Sequence, residues 1–195
     1  MQDHTSLVSN KKSWVEGFTL IEVMVAVAIL GVLAALAAPA FTETIKNRQA
    51  TATTDELVAS IELTKTESRR RGRVVFLSRH TNAIDGCPAA TNPATDAWLC
   101  WQISPDTNNN MVLDGTEGDR SNALQVFKSS PGFSIQATPV AVEFNRWGQS
   151  VSLGTPPRWV IFHSADGMTR ANSTFTVCLT VGTRLRKIKG DQSCA

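Results

Sequence analysis

The chain has 195 residues, of which 18% are charged, and its net charge is only +2. That balance excludes a partner held by global charge, so any anionic ligand must be met by a local patch. The length suits one membrane-anchored helix plus one globular domain of about 100–150 residues, and it calls for no second domain.

In chain order, the first element is an apolar run from Phe18 to Phe41, 24 residues in which Glu22 is the only charge. At about 1.5 Å per residue such a run is long enough to cross a hydrocarbon core of roughly 30 Å. It also exceeds the h-region of a secretory signal, about 7–15 residues, so the reading is a retained spanning helix. Lys11 and Lys12 precede it and orient its N-terminus to the cytoplasm, which places the bulk of the chain outside. A carboxylate at membrane depth costs several kcal/mol and needs a cation. A cut after Gly17 would supply one, because the new α-amino group of Phe18 lies four residues before Glu22, on one helical face.

Lys11-Lys12, the hexamer Gly17-Phe18-Thr19-Leu20-Ile21-Glu22 and a hydrophobic helix containing Pro39 together resemble the class III signal of type IV pilins and pseudopilins. The resemblance implies a cut by a prepilin peptidase after Gly17 and N-methylation of Phe18. It also gives Glu22 a part in docking each incoming subunit into a filament. Residues 1–17 are then a leader, and 18–41 a transmembrane and assembly helix.

The helical pattern continues over 42–72, where Ile45, Leu57, Val58, Ile61 and Leu63 form one apolar stripe. Pro39 is expected to kink it and Gly72 to stop it. Residues 73–195 then read as strands at Arg73–Ser78, Trp98–Ile103, Leu124–Lys128, Phe133–Ala137, Val140–Asn145, Trp159–His163 and Thr174–Val181, separated by turn residues. A helix followed by strands predicts an α+β fold, with a mostly antiparallel sheet packed on the helix. Within it, Glu143-Phe144-Asn145-Arg146-Trp147-Gly148-Gln149 resembles the sheet motif of the FimT, FimU and GspH type of minor pilin and pseudopilin.

Four cysteines, Cys87, Cys100, Cys178 and Cys194, lie beyond the membrane run in an oxidising compartment and read as two disulfides. Of the three possible pairings, Cys87 with Cys100 and Cys178 with Cys194 keeps each bridge local and is favoured. A zinc site is disfavoured, since the cysteines lack C-x-x-C spacing and no histidine neighbours them.

Asp106, Asn108, Asn110, Asp114 and Glu117 occupy positions 1, 3, 5, 9 and 12 of a loop with the ligand spacing of an EF-hand, which suggests calcium. Met111 replaces the glycine usual at the sixth position, and strands are expected on either side. The competing reading is a loop whose Asn and Asp side chains bond their own backbone, with no cofactor at all.

Near the C-terminus, Arg184, Arg186, Lys187 and Lys189 crowd into six residues, with the two arginines on one side of a strand. Paired guanidinium forks suit phosphates. The stretch resembles the basic glycine and arginine-x-arginine motif by which FimT-like minor pilins hold double-stranded DNA, although here Thr183 separates Gly182 from Arg184. An edge strand that uses cations to discourage pairing explains the same residues. The second cluster, Arg69-Arg70-Arg71 with Arg73, falls at the helix end, where cations suit the dipole.

Of the five tryptophans, Trp14 leaves with the leader, at least one of Trp98 and Trp101 is expected in the core, and Trp147 and Trp159 read as packing residues. His80 and His163 read as ordinary strand or loop residues. No nucleophile elbow, zinc-protease helix or phosphate-binding glycine loop is present, so the chain is not read as an enzyme. The expectation is a minor type IV pilin or pseudopilin, either a pilus subunit, the H-type pseudopilin of type II secretion, or a DNA-capturing variant of these. Its implied partners are other major or minor pilins or pseudopilins, the prepilin peptidase, the inner-membrane assembly platform and DNA. It would sit in the inner membrane with its C-terminal domain periplasmic, and later in a pilus or pseudopilus.

Overall fold

A computed structural model describes residues 17–80, 87, 97–115, 118–137, 140–150, 159–166, 173–180, 184–190 and 194, with the side chains of 37–40, 120, 159–166 and 173–174 left aside. The chain divides into two units, Met1–Thr42 and Glu43–Ala195. One helix, α1 (Leu20–Arg71), contributes its first half to one unit and its second half to the other. The leader and the side chain of Pro39 lie outside the described residues. Among the described residues no single helix is long and apolar enough to cross a membrane; Leu20–Leu36 and Phe41–Arg71 meet that test only as a pair.

From Leu20 to Leu36, α1 is apolar apart from Glu22 and solvent-facing in the isolated chain, with Leu20, Ile21 and Leu36 each at least 70% exposed. The second half has a sharply one-sided burial. Ala50, Thr54, Leu57, Ile61, Thr64 and Ser68 are buried at alternating spacings of four and three residues, one face of a 3.6-residue helix. Only two of them are large. The hydroxyls between them bond back to their own helix, Thr54 Oγ1 to the Ala50 carbonyl (2.7 Å), Thr64 Oγ1 to that of Ser60 (2.6 Å) and Ser68 Oγ to that of Lys65 (2.9 Å). These bonds satisfy groups that would otherwise be costly to bury. Gly72, at φ +64°, ends the helix in the left-handed conformation that glycine adopts most cheaply.

Among the described residues nine strands follow: β1 (Val75–Arg79), β2 (Ala97–Trp98), β3 (Cys100–Pro105), β4 (Gln125–Lys128), β5 (Phe133–Ala137), β6 (Ala141–Phe144), β7 (Trp159–Asp166), β8 (Ser173–Thr180) and β9 (Leu185–Lys189). They form two antiparallel sheets, ordered β4-β3-β1-β6 and β2-β5-β7-β8-β9. The fold is α+β, as its order of elements predicts, but the expected single sheet is two. The division falls at Leu99, where one expected strand breaks into β2 and β3 and changes sheet.

That break decides the tryptophans. In one continuous strand Trp98 and Trp101 would face opposite sides. Across the break both are fully buried in the same core, with Leu57 and Ile61 of α1, Val75, Leu77, Ile103, Val142 and Phe144 of the first sheet, and Ile135, Val177 and Leu179 of the second. Burying Leu57 and Ile61 contributes about 1.5–3 kcal/mol each. Trp101 also stacks on Phe127, centroids 6.0 Å apart, and its indole N–H donates to Ser60 Oγ at 2.9 Å. Cys87–Cys100 and Cys178–Cys194 are bridged, as the local pairing predicts. Each closes a loop of 13 to 16 residues, which removes unfolded-state entropy of order 3 kcal/mol.

The turn after β6 ties the helix end to the sheet. Asn145 Oδ1 accepts from the Trp147 and Gln149 N–H groups, and Gly148 takes φ +74°. Arg69 Nε donates to the Trp147 carbonyl at 2.9 Å and lies 2.6 Å from where a Cβ on Gly148 would sit. Trp147 is not a core residue, contrary to its expected packing role. It is 61% exposed, with the Arg146 guanidinium 4.7 Å from its ring centroid, because the turn directs its side chain away from the sheet. Gly148→Ala is therefore expected to lower stability by about 1–3 kcal/mol, through left-handed strain and loss of the Arg69 bond, and Gly72→Ala, which meets no neighbour, by about 1 kcal/mol. Urea denaturation of the two variants checks the order.

Candidate functional site

The N-terminal segment builds one candidate surface. Gly17, Phe18 and Thr19 precede the helix, and Thr19 caps it, its Oγ1 accepting from the Glu22 N–H at 3.3 Å and its carbonyl from the Val23 N–H. Thr-x-x-Glu at a helix start is a capping box, a signal legible in the sequence alone. Glu22 thus sits in the first turn, where the helix dipole favours a carboxylate. Because α1 begins at Leu20, Phe18 lies outside it, so the four-residue helical relation between Phe18 and Glu22 is not formed in the uncut chain.

The basic C-terminal strand is the second surface. β9 is the outer strand of its sheet, and its pairing to β8 sorts its cations by face. Arg186 pairs opposite Cys178, while Lys187 pairs opposite Val177, which belongs to the core face. The four cations therefore do not form one patch. Arg184 and Arg186 are exposed on the side of the Cys178–Cys194 bridge. Lys187 and Lys189 fall on the helix side, where the Lys187 ammonium donates to Asp55 Oδ1 of α1 at 2.6 Å and lies 4.6 Å from the Phe175 ring centroid. That long-range pair has no signature in sequence.

The arginine cluster at the helix end is occupied in structural contacts. Arg70 and Arg71 both bond Glu67, whose carboxyl is held below its usual range first by Arg70 and then by Arg71. Arg69 reaches the Trp147 carbonyl and Arg73 that of Asp106.

On the outer face of the four-stranded sheet, Ser78, His80, Gln102, Ser104 and Asp106 are all buried. The segment after β3 folds back over them, with the Gly118 carbonyl accepting from Gln102 Nε2 at 3.0 Å, while Gln102 Oε1 lies 2.7 Å from His80 Nδ1. His80 is thus a buried, hydrogen-bonded residue; the side chain of His163 lies outside the described residues. Among the described residues no three His, Cys, Asp or Glu gather as metal ligands. Glu117 lies outside them. Asp106, Asn108 and Asn110 accept from the loop's own N–H groups at Met111, Asn110 and Val112.

A helix with an exposed apolar half, carrying a disulfide-braced pair of antiparallel sheets on its other half, defines a pilin-type subunit. Residues 53–193 match the family of the type II transport protein GspH, and residues 15–38 match the prokaryotic N-terminal methylation motif. The chain therefore belongs to the GspH family. It is similar to the type IV major fimbrial protein FimA of Dichelobacter nodosus, 27% identical over 70% of this chain and 97% of that one. It is also similar to the type IV major alpha-pilin of Moraxella bovis, 50% identical over 55% of this chain and 71% of that one. Among solved structures, the type IV minor pilin FimU of Pseudomonas aeruginosa shares the fold at a TM-score of 0.52 and 16% identity, covering 80% of this chain and 99% of that one.

Glu143, on β6 opposite Phe76, has its carboxyl pushed up from its usual 4.5, first by burial and then by the Asp106 charge. A raised folded value means that the protonated form is the better tolerated in the fold, so stability falls as pH rises from about 4.5 through that raised value. Glu143→Gln is expected to raise the melting temperature at pH 7 and to leave it nearly unchanged at pH 4. Thermal melts at the two pH values test this.

Proposed function

We propose that this chain is a minor type IV pilin, cut between Gly17 and Phe18, methylated on Phe18, and stacked into a pilus through the first half of α1. The observation that supports this best is the exposed apolar rod from Leu20 to Leu36, which carries one carboxylate in its first turn. An apolar surface of that extent needs lipid before assembly and neighbouring subunits after it. Once the leader is removed, the Phe18 ammonium of one subunit or its neighbour becomes a cation for Glu22 at that depth. Lys11 and Lys12 support an N-terminus in the cytoplasm and a periplasmic sheet domain. The same features suit an H-type pseudopilin of type II secretion, a reading favoured by the GspH match over 53–193.

Intact mass measurement of the mature protein should show loss of residues 1–17 and one added methyl group. Glu22→Ala should be processed normally yet enter sheared filaments at roughly one-tenth of the unmodified level or less, the equivalent of about 1.4 kcal/mol of docking energy. Unprocessed protein, or undiminished incorporation of the variant, would count against the proposal.

A second reading is that the filament carries this subunit to capture double-stranded DNA. The exposed Arg184 and Arg186 beside the Cys178–Cys194 bridge support it, because a braced strand loses little entropy on binding. Phosphate contacts of this kind are sequence-blind and salt-sensitive. The full chain in detergent should shift a duplex at low salt, and Arg184→Gln with Arg186→Gln should abolish the shift. Lys187→Gln should affect binding less, since its ammonium is engaged by Asp55. A double variant that still binds would remove the reading.

A further inference from the structure

We propose that the loop from Asp106 to Asp114 is a calcium site, in which Asp106 Oδ1, the side-chain oxygens of Asn108, Asn110 and Asp114, and the Val112 carbonyl supply the ligands. The loop's hydrogen bonds leave one oxygen over. Asp106 is 1% exposed; its Oδ2 accepts from the Met111 N–H at 2.9 Å, which turns the carboxylate into the loop, while its Oδ1 is buried with no hydrogen-bond partner among the described residues. A buried carboxylate oxygen without a donor is costly, and a cation is the partner that uses its charge.

The surrounding oxygens are arranged to share that cation. Asn108 Oδ1 accepts from the Asn110 N–H at 3.0 Å and Asn110 Oδ1 from the Val112 N–H at 2.8 Å, so each carbonyl oxygen retains a second lone pair for a metal. Asn108 Nδ2 donates to Asp114 Oδ2 at 2.7 Å, which draws the two ends of the loop together across six residues. Asn109 and Met111 hold φ of 59° and 60°, a left-handed backbone that is cheap for asparagine and costly for methionine. Those two residues are the fourth and sixth of the loop, the sixth being the sharp turn where a calcium loop ordinarily carries glycine. Met111 takes that turn without being glycine, which explains how the departure at this position is accommodated.

The chemistry selects the ion. All these donors are oxygens, which suit a hard cation, and the irregular spread of side-chain and backbone oxygens around the exposed rim at Asn108 and Asn110 suits calcium better than the smaller magnesium, which demands a near-ideal octahedron. With two carboxylates among the named ligands, the affinity should fall in the weak range of extracellular modules, a Kd of about 10⁻⁴–10⁻³ M.

The test is calorimetric titration of calcium chloride into the full chain in detergent, paired with thermal melts. Heat of binding in that Kd range, a melting temperature raised by several degrees at about 10 mM calcium and returned by chelator, and magnesium at least tenfold weaker are the expected results. Asp114→Asn keeps an oxygen for the Asn108 amide, and Asp106→Asn keeps one for the Met111 N–H. Both should lose at least tenfold in affinity while melting in chelator as the unmodified chain does. If Asp106→Asn does not fold, Asp114→Asn alone decides. No binding heat and no melting shift, equal magnesium affinity, or undiminished binding by a folded variant would each overturn the proposal.

Discussion

One helix face must bury Leu57 and Ile61 against two sheets at once, and the architecture of the globular unit follows from that demand. A single sheet offers one inner face. Here the helix is covered by residues of both, so β2 and β3 must part company at Leu99 to bring Trp98 and Trp101 to the same interior. The rest of the helix stripe is small and hydroxylated, which allows close approach of the sheets while each hydroxyl is satisfied within its own turn. The large side chains that fill the space come from the strands instead.

Polar contacts then set how the periphery is anchored. Arg69 grips the Trp147 carbonyl in the turn after β6, Ser60 receives the Trp101 indole N–H, and Lys187 reaches from β9 to Asp55. Each links the helix to a segment far along the chain. The exposed Lys187–Asp55 pair adds little energy by itself; the pairing of β9 to β8 is what separates the strand's cations into two faces. Arg184 and Arg186 lie exposed on the bridge side, and Lys187 on the helix side bonds Asp55 of α1.

How much was readable in advance depended on the range of the interaction. Gly72 ends the helix because a left-handed stop is a property of one residue, and the two disulfides pair locally because short loops keep both partners near. The Thr19–Glu22 capping box was equally local and equally readable. The exposure of Trp147 is not legible from its strand-like neighbours, because the Asn145 turn points it to solvent. The Asp106 oxygen left without a donor among the described residues had no trace in the spacing of the loop, since it is defined by which donors fail to reach it.

The amino-acid sequence by itself determined what depends on composition and short spacing: an apolar rod with one acid, a one-sided continuation of the helix, a set of β-branched and aromatic strands, and the N-terminal methylation motif. Hydropathy and turn chemistry act over a few residues, so they are written in order along the chain. Tertiary structure alone decided the split into two sheets, the common burial of Trp98 and Trp101, the sorting of Arg186 from Lys187, and the burial of Asp106 beneath its own loop. Those outcomes are set by which distant surfaces meet, and a strand's period of two fixes only that neighbouring side chains oppose each other, never which side becomes the interior.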